Sequence, residues 1–391
     1  MTVTQPVSTA TATLAPGADA YPRPVPSDTG LPTTPFLELE IEIAIERYRA
    51  LAVALPGVAI HYAVKANPHP DLLAALVAEG CNADVASPAE VRAALDAGAS
   101  PDDLVYSNPV KRRDHLAEAA AMGVRLFVVD SLAEVHKVAE VAPGTAVVAR
   151  LVTSGAGSDW PLSRKYGCSV AQAVEILRAA AELGLDPAGV SFHVGSQQRD
   201  PQAWRSPIAA AATVFESLAA HGLRPWLLDL GGGFPAHHEG DVPPLAAYGE
   251  VIEDQLTTSF CGDRPRVIVE PGRGIVGDAG AVVTTVVAVV QRGDVRWVYL
   301  DAGVFAGLVE TLDEAIRYRL ETSADGGPTG PCVLAGPTCD SADVLYEVEP
   351  VQLPLELAEG DIVRLKSAGA YTSCYSTVGF NGFDPLPTVV G

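Results

Sequence analysis

Short apolar runs alternate with amphipathic stretches from about Ile60 to Glu270. The runs are Ile60–Val64, Ala83–Ala86, Leu104–Ser107, Leu126–Val129, Ala146–Ala149, Val190–Val194, Trp226–Leu230 and Val267–Glu270. Each is strand length, rich in Val, Ile and Leu, and ends in a polar or glycine-containing turn. Between several of them lie Ala/Leu/Glu-rich segments with helical spacing, such as Pro88–Ala97 and Ser169–Leu183. Strands alternating with helices predict a parallel sheet with helical crossovers. Eight such units predict a TIM-like (β/α)8 barrel, with a doubly wound sheet as the alternative. Past about Gly277 the helical spacing fades. Ala281–Val290, Val295–Leu300, Val344–Val348 and Asp361–Leu365 read as antiparallel strands between Gly, Pro and Asp turns. The expected organisation is a flexible tail over 1–33, the barrel over 34–277 and a mainly antiparallel β-domain over 278–391. The strand-like Pro35–Ile41 is expected to join the β-domain.

Composition narrows the classes. Hydrophobic residues make up 48% of the 391, enough for a large core and against disorder. No apolar run reaches the roughly 18–20 residues of a membrane helix. Met1–Ser27 is Thr-, Ala- and Pro-rich and lacks the basic start and apolar stretch of a secretory signal. The six cysteines show neither a CxxC pair nor metal-like spacing, so reduced thiols, no metal and a cytoplasmic setting are expected. The net charge of −22 argues against nucleic-acid or anionic-membrane partners. It mildly favours a cationic substrate, although an acidic balance commonly serves only solubility.

In a barrel, chemistry collects where strands end. Those ends carry Lys65, Asp84, Ser87, Glu90, Asn108, Asp130, Arg150, His193, Ser196, Asp229 before Gly231-Gly232-Gly233, and Glu270 with Gly272 and Arg273. Singly, a strand-end lysine is usually a solvated charge, a histidine in an apolar run a core residue, and a glycine triplet a loop. Together they suggest more. A lysine in an apolar pocket loses its proton and forms a Schiff base. Glycines let backbone N–H groups approach a phosphate, and Arg273 adds a cation. Glu270 can keep a pyridine nitrogen protonated, and His193 offers a ring for stacking. That set describes a pyridoxal 5'-phosphate site.

Seven stretches in order then resemble one family. They are Tyr62–Asn67, Asp84–Ser87, His193–Ser196, Asp229–Pro235, Glu270–Arg273, Gly336–Asp340 and Gly369–Thr372. The chain resembles the barrel-type pyridoxal-phosphate decarboxylases of ornithine, lysine, arginine and diaminopimelate. Trp160–Gly167, Glu310–Ala315 and Thr338–Ser341 resemble the bacterial ornithine/lysine branch. The resemblance implies Lys65 as the cofactor-bearing lysine, Glu270 as the partner of the ring nitrogen and His193 as the stacking group. It implies Asp84, Arg150, Ser196, Gly231, Gly232, Gly233, Gly272, Arg273 and Tyr371 around the cofactor. It implies Cys339 as a proton donor, and Asp340, Glu314, Asp313 and Phe380 around the substrate, with Glu314 favoured over Asp313 as the second amine-binding acid. It also implies a homodimer in which Cys339 and Asp340 reach the partner's site. The loop Thr153–Arg164 is expected to close over the cleft. A racemase on a similar barrel would set a cation, not Glu270, against the ring nitrogen. An inactive regulatory relative would lack Lys65, Glu270 or Cys339, and all three are present.

Overall fold

The computed structural model describes residues 33–161 and 164–391. Most of the expected tail, and Leu162 and Ser163, lie outside the described residues.

All eight apolar runs form strands. They are β2 (Ala59–Ala63), β3 (Asn82–Val85), β4 (Leu104–Tyr106), β5 (Leu126–Val129), β6 (Ala146–Arg150), β8 (Asp186–Ser191), β10 (Leu227–Asp229) and β11 (Arg266–Val269). They pair in parallel and close in the order β10-β11-β2-β3-β4-β5-β6-β8, which removes the doubly wound alternative. Between β6 and β8, β7 (Ser158–Trp160) pairs antiparallel with β9 (Ser196–Gln198), so the expected closing loop is partly tied down as a ribbon.

Strand residues point alternately to the two faces of the sheet. Outward residues such as Phe127, Val147 and Leu228 pack against the surrounding helices. Val105, Val128, Val148, Ala188, Leu227 and Ile268 fill the barrel interior as a separate cluster. Two residues beyond Val105, Val128, Val148, Leu227 and Ile268, the inward positions carry Ser107, Asp130, Arg150, Asp229 and Glu270 in place of apolar groups. One step of the period-two pattern thus converts a packed floor into a polar rim at the C-terminal ends.

The second sheet has eight strands. Its main path is β14 (Arg319–Thr322), β17 (Ile362–Lys366), β12 (Gly280–Arg292), β13 (Val295–Leu300), β15 (Thr329–Ala335) and β16 (Val344–Pro354). The early strand β1 (Phe36–Leu39) pairs antiparallel with β12 and parallel with β18 (Thr388–Val390). The pairing of β13 with β15 is parallel, while the remaining pairs along the path are antiparallel. Leu37, Val282, Leu300, Leu334 and Leu365 are among the residues of its core. This domain also sends two segments to the barrel rim: the kinked 3-10 segment Val309–Glu314, and the turn at Tyr371. No helix among the described residues is long and apolar enough to cross a membrane.

Candidate active site

A cleft of about 600 Å³ opens at the C-terminal ends of the barrel strands. Lys65, Arg150, His193, Ser196, Glu270 and Tyr371 line it, together with Ser107, Glu310 and Tyr375. Trp160, Pro161, Arg164, Lys165 and Tyr166 form part of its wall.

Lys65 lies on a short 3-10 turn that directly follows β2. Its ammonium donates to Asp84 Oδ2 at the end of β3, and Asp84 is fully buried. Burial alone lowers the Lys65 pKa, but the adjacent negative charges, Asp84 foremost, outweigh it and raise the value above that of an ordinary lysine. The apolar, proton-shedding pocket expected for Lys65 is therefore not what surrounds it. The side chain is ion-paired with Asp84 and is 44% exposed into the cleft.

His193 sits in the loop after β8. Its Nδ1 accepts the Gly195 N–H at 3.0 Å, which leaves the proton on Nε2. Burial, with the positive charges of Arg150 and Lys65, lowers its pKa to about 3. The ring is neutral, as a stacking surface requires. The glycine triplet follows β10. Gly231 has φ of 64°, and a Cβ there would lie 2.1 Å from the Phe192 carbonyl. A Cβ on Gly232 would press on the Glu270 carbonyl at 2.6 Å and on His193 Nε2 at 3.1 Å. Larger residues would break both the turn and the seat of the imidazole.

Glu270 follows β11. Its Oε1 accepts the Ser107 hydroxyl. Burial, reinforced by the charge of Asp84, raises its pKa to about 7, while Lys65 and Ser107 act against the rise.

At the other end of the cleft, Arg273 Nε and Nη2 both contact Ser196 Oγ at 3.2 Å. Arg273 Nη2 also reaches both oxygens of Glu310, at 2.7 and 2.8 Å. The guanidinium lies 5.0 Å from the centre of the Tyr371 ring. Tyr371 has φ of 57°, and its N–H donates to the Ala66 carbonyl at 2.8 Å, beside Lys65. Arg273 Nη1 is buried and has no hydrogen-bond partner. A buried guanidinium N–H of that kind calls for an acceptor, and an anionic phosphate supplies one. The residues present fit pyridoxal phosphate: a cationic end with an unpartnered guanidinium N–H, a neutral imidazole lining the cleft, and a carboxylate in the same cleft as the lysine.

The substrate-side expectations divide. Cys339 and Asp340 are exposed and do not line the cleft of their own chain. Cys339 N–H donates to Asn381 Oδ1 at 3.2 Å. Phe380 packs on Phe305 with ring centres 4.4 Å apart, beside a second cavity of about 500 Å³ that Thr338 also lines. Glu314 and Asp313 likewise do not line the cleft of their own chain. Leu312 is extended, and Asp313 and Glu314 both have positive φ, so the 3-10 segment kinks away from the cleft after Thr311. Glu314 Oε1 accepts the N–H groups of Glu347 and Val348, and its Oε2 pairs with Arg317 at 2.5 Å. Asp313 and Glu314 instead face a separate cavity together with Arg317. The acid that this segment places in the cleft is Glu310.

Comparison with known proteins agrees with this geometry. The family model described as the pyridoxal binding domain of pyridoxal-dependent decarboxylases matches residues 42–277. The chain belongs to the pyridoxal-dependent decarboxylases. A lysine/ornithine decarboxylase of Selenomonas ruminantium is 35% identical over 358 residues, covering 91% of this chain and 89% of its own length. The crystal structure of a lysine/ornithine decarboxylase from Vibrio vulnificus, complexed with cadaverine, superposes with a TM-score of 0.83 at 36% identity, covering 92% of this chain and 94% of that one. The Vibrio vulnificus lysine/ornithine decarboxylase in complex with putrescine gives 0.82 at 35%, with 92% and 94% covered. As a pyridoxal-dependent decarboxylase, the chain uses pyridoxal phosphate, and its barrel and β-domain match those of its solved relatives.

Sequence reasoning missed Glu310, Ser107 and Tyr375 as lining residues. Ser107 was legible as the inward position two after Val105. Glu310 carries no such signal, because its place depends on where a 3-10 segment kinks.

Proposed function

We propose that this decarboxylase removes the α-carboxylate of a basic L-amino acid, ornithine or lysine, and releases CO2 and a diamine. The observation that carries the reading is Lys65 and Glu270 in one cleft, with the Arg273–Ser196–Tyr371 cluster at its far end. An acid deep in the cleft favours decarboxylation over racemisation, in which a cation would face the ring nitrogen. When bound, pyridoxal phosphate supplies an electron sink for the electrons left at Cα.

Lys65 holds the cofactor covalently between turnovers, and Glu270 keeps the ring nitrogen protonated. His193 covers one face of the ring. Ser196, Arg273, Tyr371 and the backbone of Gly232, Gly233 and Gly272 bind the phosphate, with Gly231 shaping the turn. Asp84 orients Lys65, and Arg150 guards the cleft mouth. Glu310 holds the Arg273 guanidinium in place at the phosphate end. Cys339 returns a proton to Cα, and Asp340 and Phe380 complete the distal pocket. These last three come from a partner subunit, because they lie outside the cleft of their own chain. That placement supports a homodimer as the working unit, the net charge of −22 supports a reading without a nucleic-acid or membrane partner, and the unpaired cysteines support a cytoplasmic setting.

Steady-state assays on L-ornithine, L-lysine, L-arginine and diaminopimelate test the reading. Diamine and CO2 from ornithine or lysine are expected. Ornithine and lysine differ by one methylene, for which a pocket discriminates by only ~1–3 kcal/mol, so both are expected to react. A yellow enzyme that decarboxylates neither would overturn the substrate assignment.

A further inference from the structure

Asp229 ends β10 on the inner face of the barrel, 1% exposed, and the roles above give it no task. In the strand register it stands opposite Ile268 of β11, and Glu270 lies two residues beyond on the same face. The register sets the two carboxyl groups on the inner face of adjacent strands, and each acts on the other's charge. Asp229 Oδ1 accepts the Gly231 N–H at 2.8 Å, at the start of the glycine turn. Asp229 Oδ2 is buried and accepts no hydrogen bond.

Two adjacent buried carboxyl groups cannot both stay ionised, so the pair retains a proton. The surroundings decide which member keeps it. Glu270 receives the Ser107 hydroxyl and faces the Lys65 cation. Asp229 receives a single backbone N–H, and the charged groups facing it are the acids Glu270 and Asp84. Burial, followed by the charge of Glu270, shifts Asp229 well above the usual carboxylate range.

We propose that Asp229 is a positioning residue that remains protonated and donates its Oδ2–H to Glu270, so that the two groups together carry one negative charge. The proposal rests on the reading of Glu270 as partner of the ring nitrogen. One charge matches one pyridinium. A second ionised carboxylate would be a buried, uncompensated anion. The two hydroxyl donors, Ser107 and Asp229, would hold Glu270 in a single orientation as a carboxylate. The bond from Gly231 ties the same unit to the turn that seats His193.

The test uses holoenzyme, with infrared difference spectroscopy at neutral pH and cofactor affinity as readouts. Wild type should show the carbonyl stretch of a buried, protonated carboxylic acid, and Asp229→Asn should lack it. Asp229→Asn keeps a neutral donor, so its affinity for pyridoxal phosphate should stay within about threefold of wild type, whereas Asp229→Ala should lose about tenfold or more. A yellow holoenzyme without that band, or with the band intact in Asp229→Asn, overturns the proposal. Equal affinity losses in the Asn and Ala variants overturn the donor role. Should Asp229→Ala fail to fold, the wild-type and Asn spectra still decide. A colourless protein that takes up no cofactor brings down the parent reading, and this proposal with it.

Discussion

The ammonium of Lys65 faces a fully buried carboxylate, and that pairing explains how a cation is stored in a barrel interior. With pyridoxal phosphate held through Lys65, the purified protein should be yellow. Borohydride reduction followed by peptide mapping should place the cofactor on the peptide containing Lys65. A colourless product after incubation with cofactor would contradict this. Glu270→Gln should still bind cofactor but lose turnover by several orders of magnitude, because an amide cannot keep the ring nitrogen protonated. Near-normal turnover would show that the ring nitrogen does not depend on Glu270. Away from the cleft, His238 is buried edge-on to Tyr318, with Nε2 at 3.0 Å from the Ser367 carbonyl. Burial, helped by Arg273, depresses its pKa from 6.5 to about 3. Between those values the unfolded chain binds a proton that the folded chain does not, so this residue makes stability fall as pH drops below 6.5. His238→Asn should flatten the pH slope of thermal stability across that window by about one proton. An unchanged slope would mean that the imidazole is not held neutral.

At the scale of elements, the segment Val309–Glu314 separates two acids that sequence alone does not rank. Glu310 enters the cleft and pairs with Arg273, whereas Glu314 is bound to the backbone of β16. Glu314→Ala leaves N–H groups of Glu347 and Val348 without their acceptor, so it should destabilise the fold by about 1–3 kcal/mol. The KM for substrate should stay near that of wild type. A large KM increase with unchanged stability would return Glu314 to the substrate site. The barrel strands were legible because each apolar run is bounded by turn residues and a helical stretch separates it from the next. The polar rim was legible for a related reason: stepping two residues beyond Val105, Val128, Val148, Leu227 or Ile268 lands on Ser107, Asp130, Arg150, Asp229 or Glu270. Strands β14 and β15 were not legible. Arg319–Thr322 is short and mostly polar, and Thr329–Ala335 begins Thr-Gly-Pro, which reads as a turn. The state of Lys65 was misread because its neighbour across the β2–β3 pair, Asp84, acts only once the strands are in register.

The whole molecule poses a problem of completeness. The cofactor end of the cleft is assembled from one chain, but Cys339, Asp340 and Phe380 sit on the β-domain, outside that cleft. If Cys339 serves the reaction, a second copy must present it, and two-fold symmetry then gives two equivalent shared sites. A thiol that delivers a proton to Cα should leave a chemical trace when it is lost. Cys339→Ala should turn over more slowly and form some aldehyde in place of diamine, with the amino group retained by the cofactor. Mixing separates a shared site from a single-chain one. In a dimer of one Lys65→Ala chain and one Cys339→Ala chain, one site draws both Lys65 and Cys339 from unaltered positions, and the other draws neither. With random exchange half of the dimers are mixed, and each has one of its two sites intact. Activity should therefore recover to about one quarter of wild type, above what the parents retain separately. Subunit exchange is checked independently, with differently tagged chains. Exchange without recovery would show that each site is built from a single chain, and that the cluster around Cys339 serves another purpose.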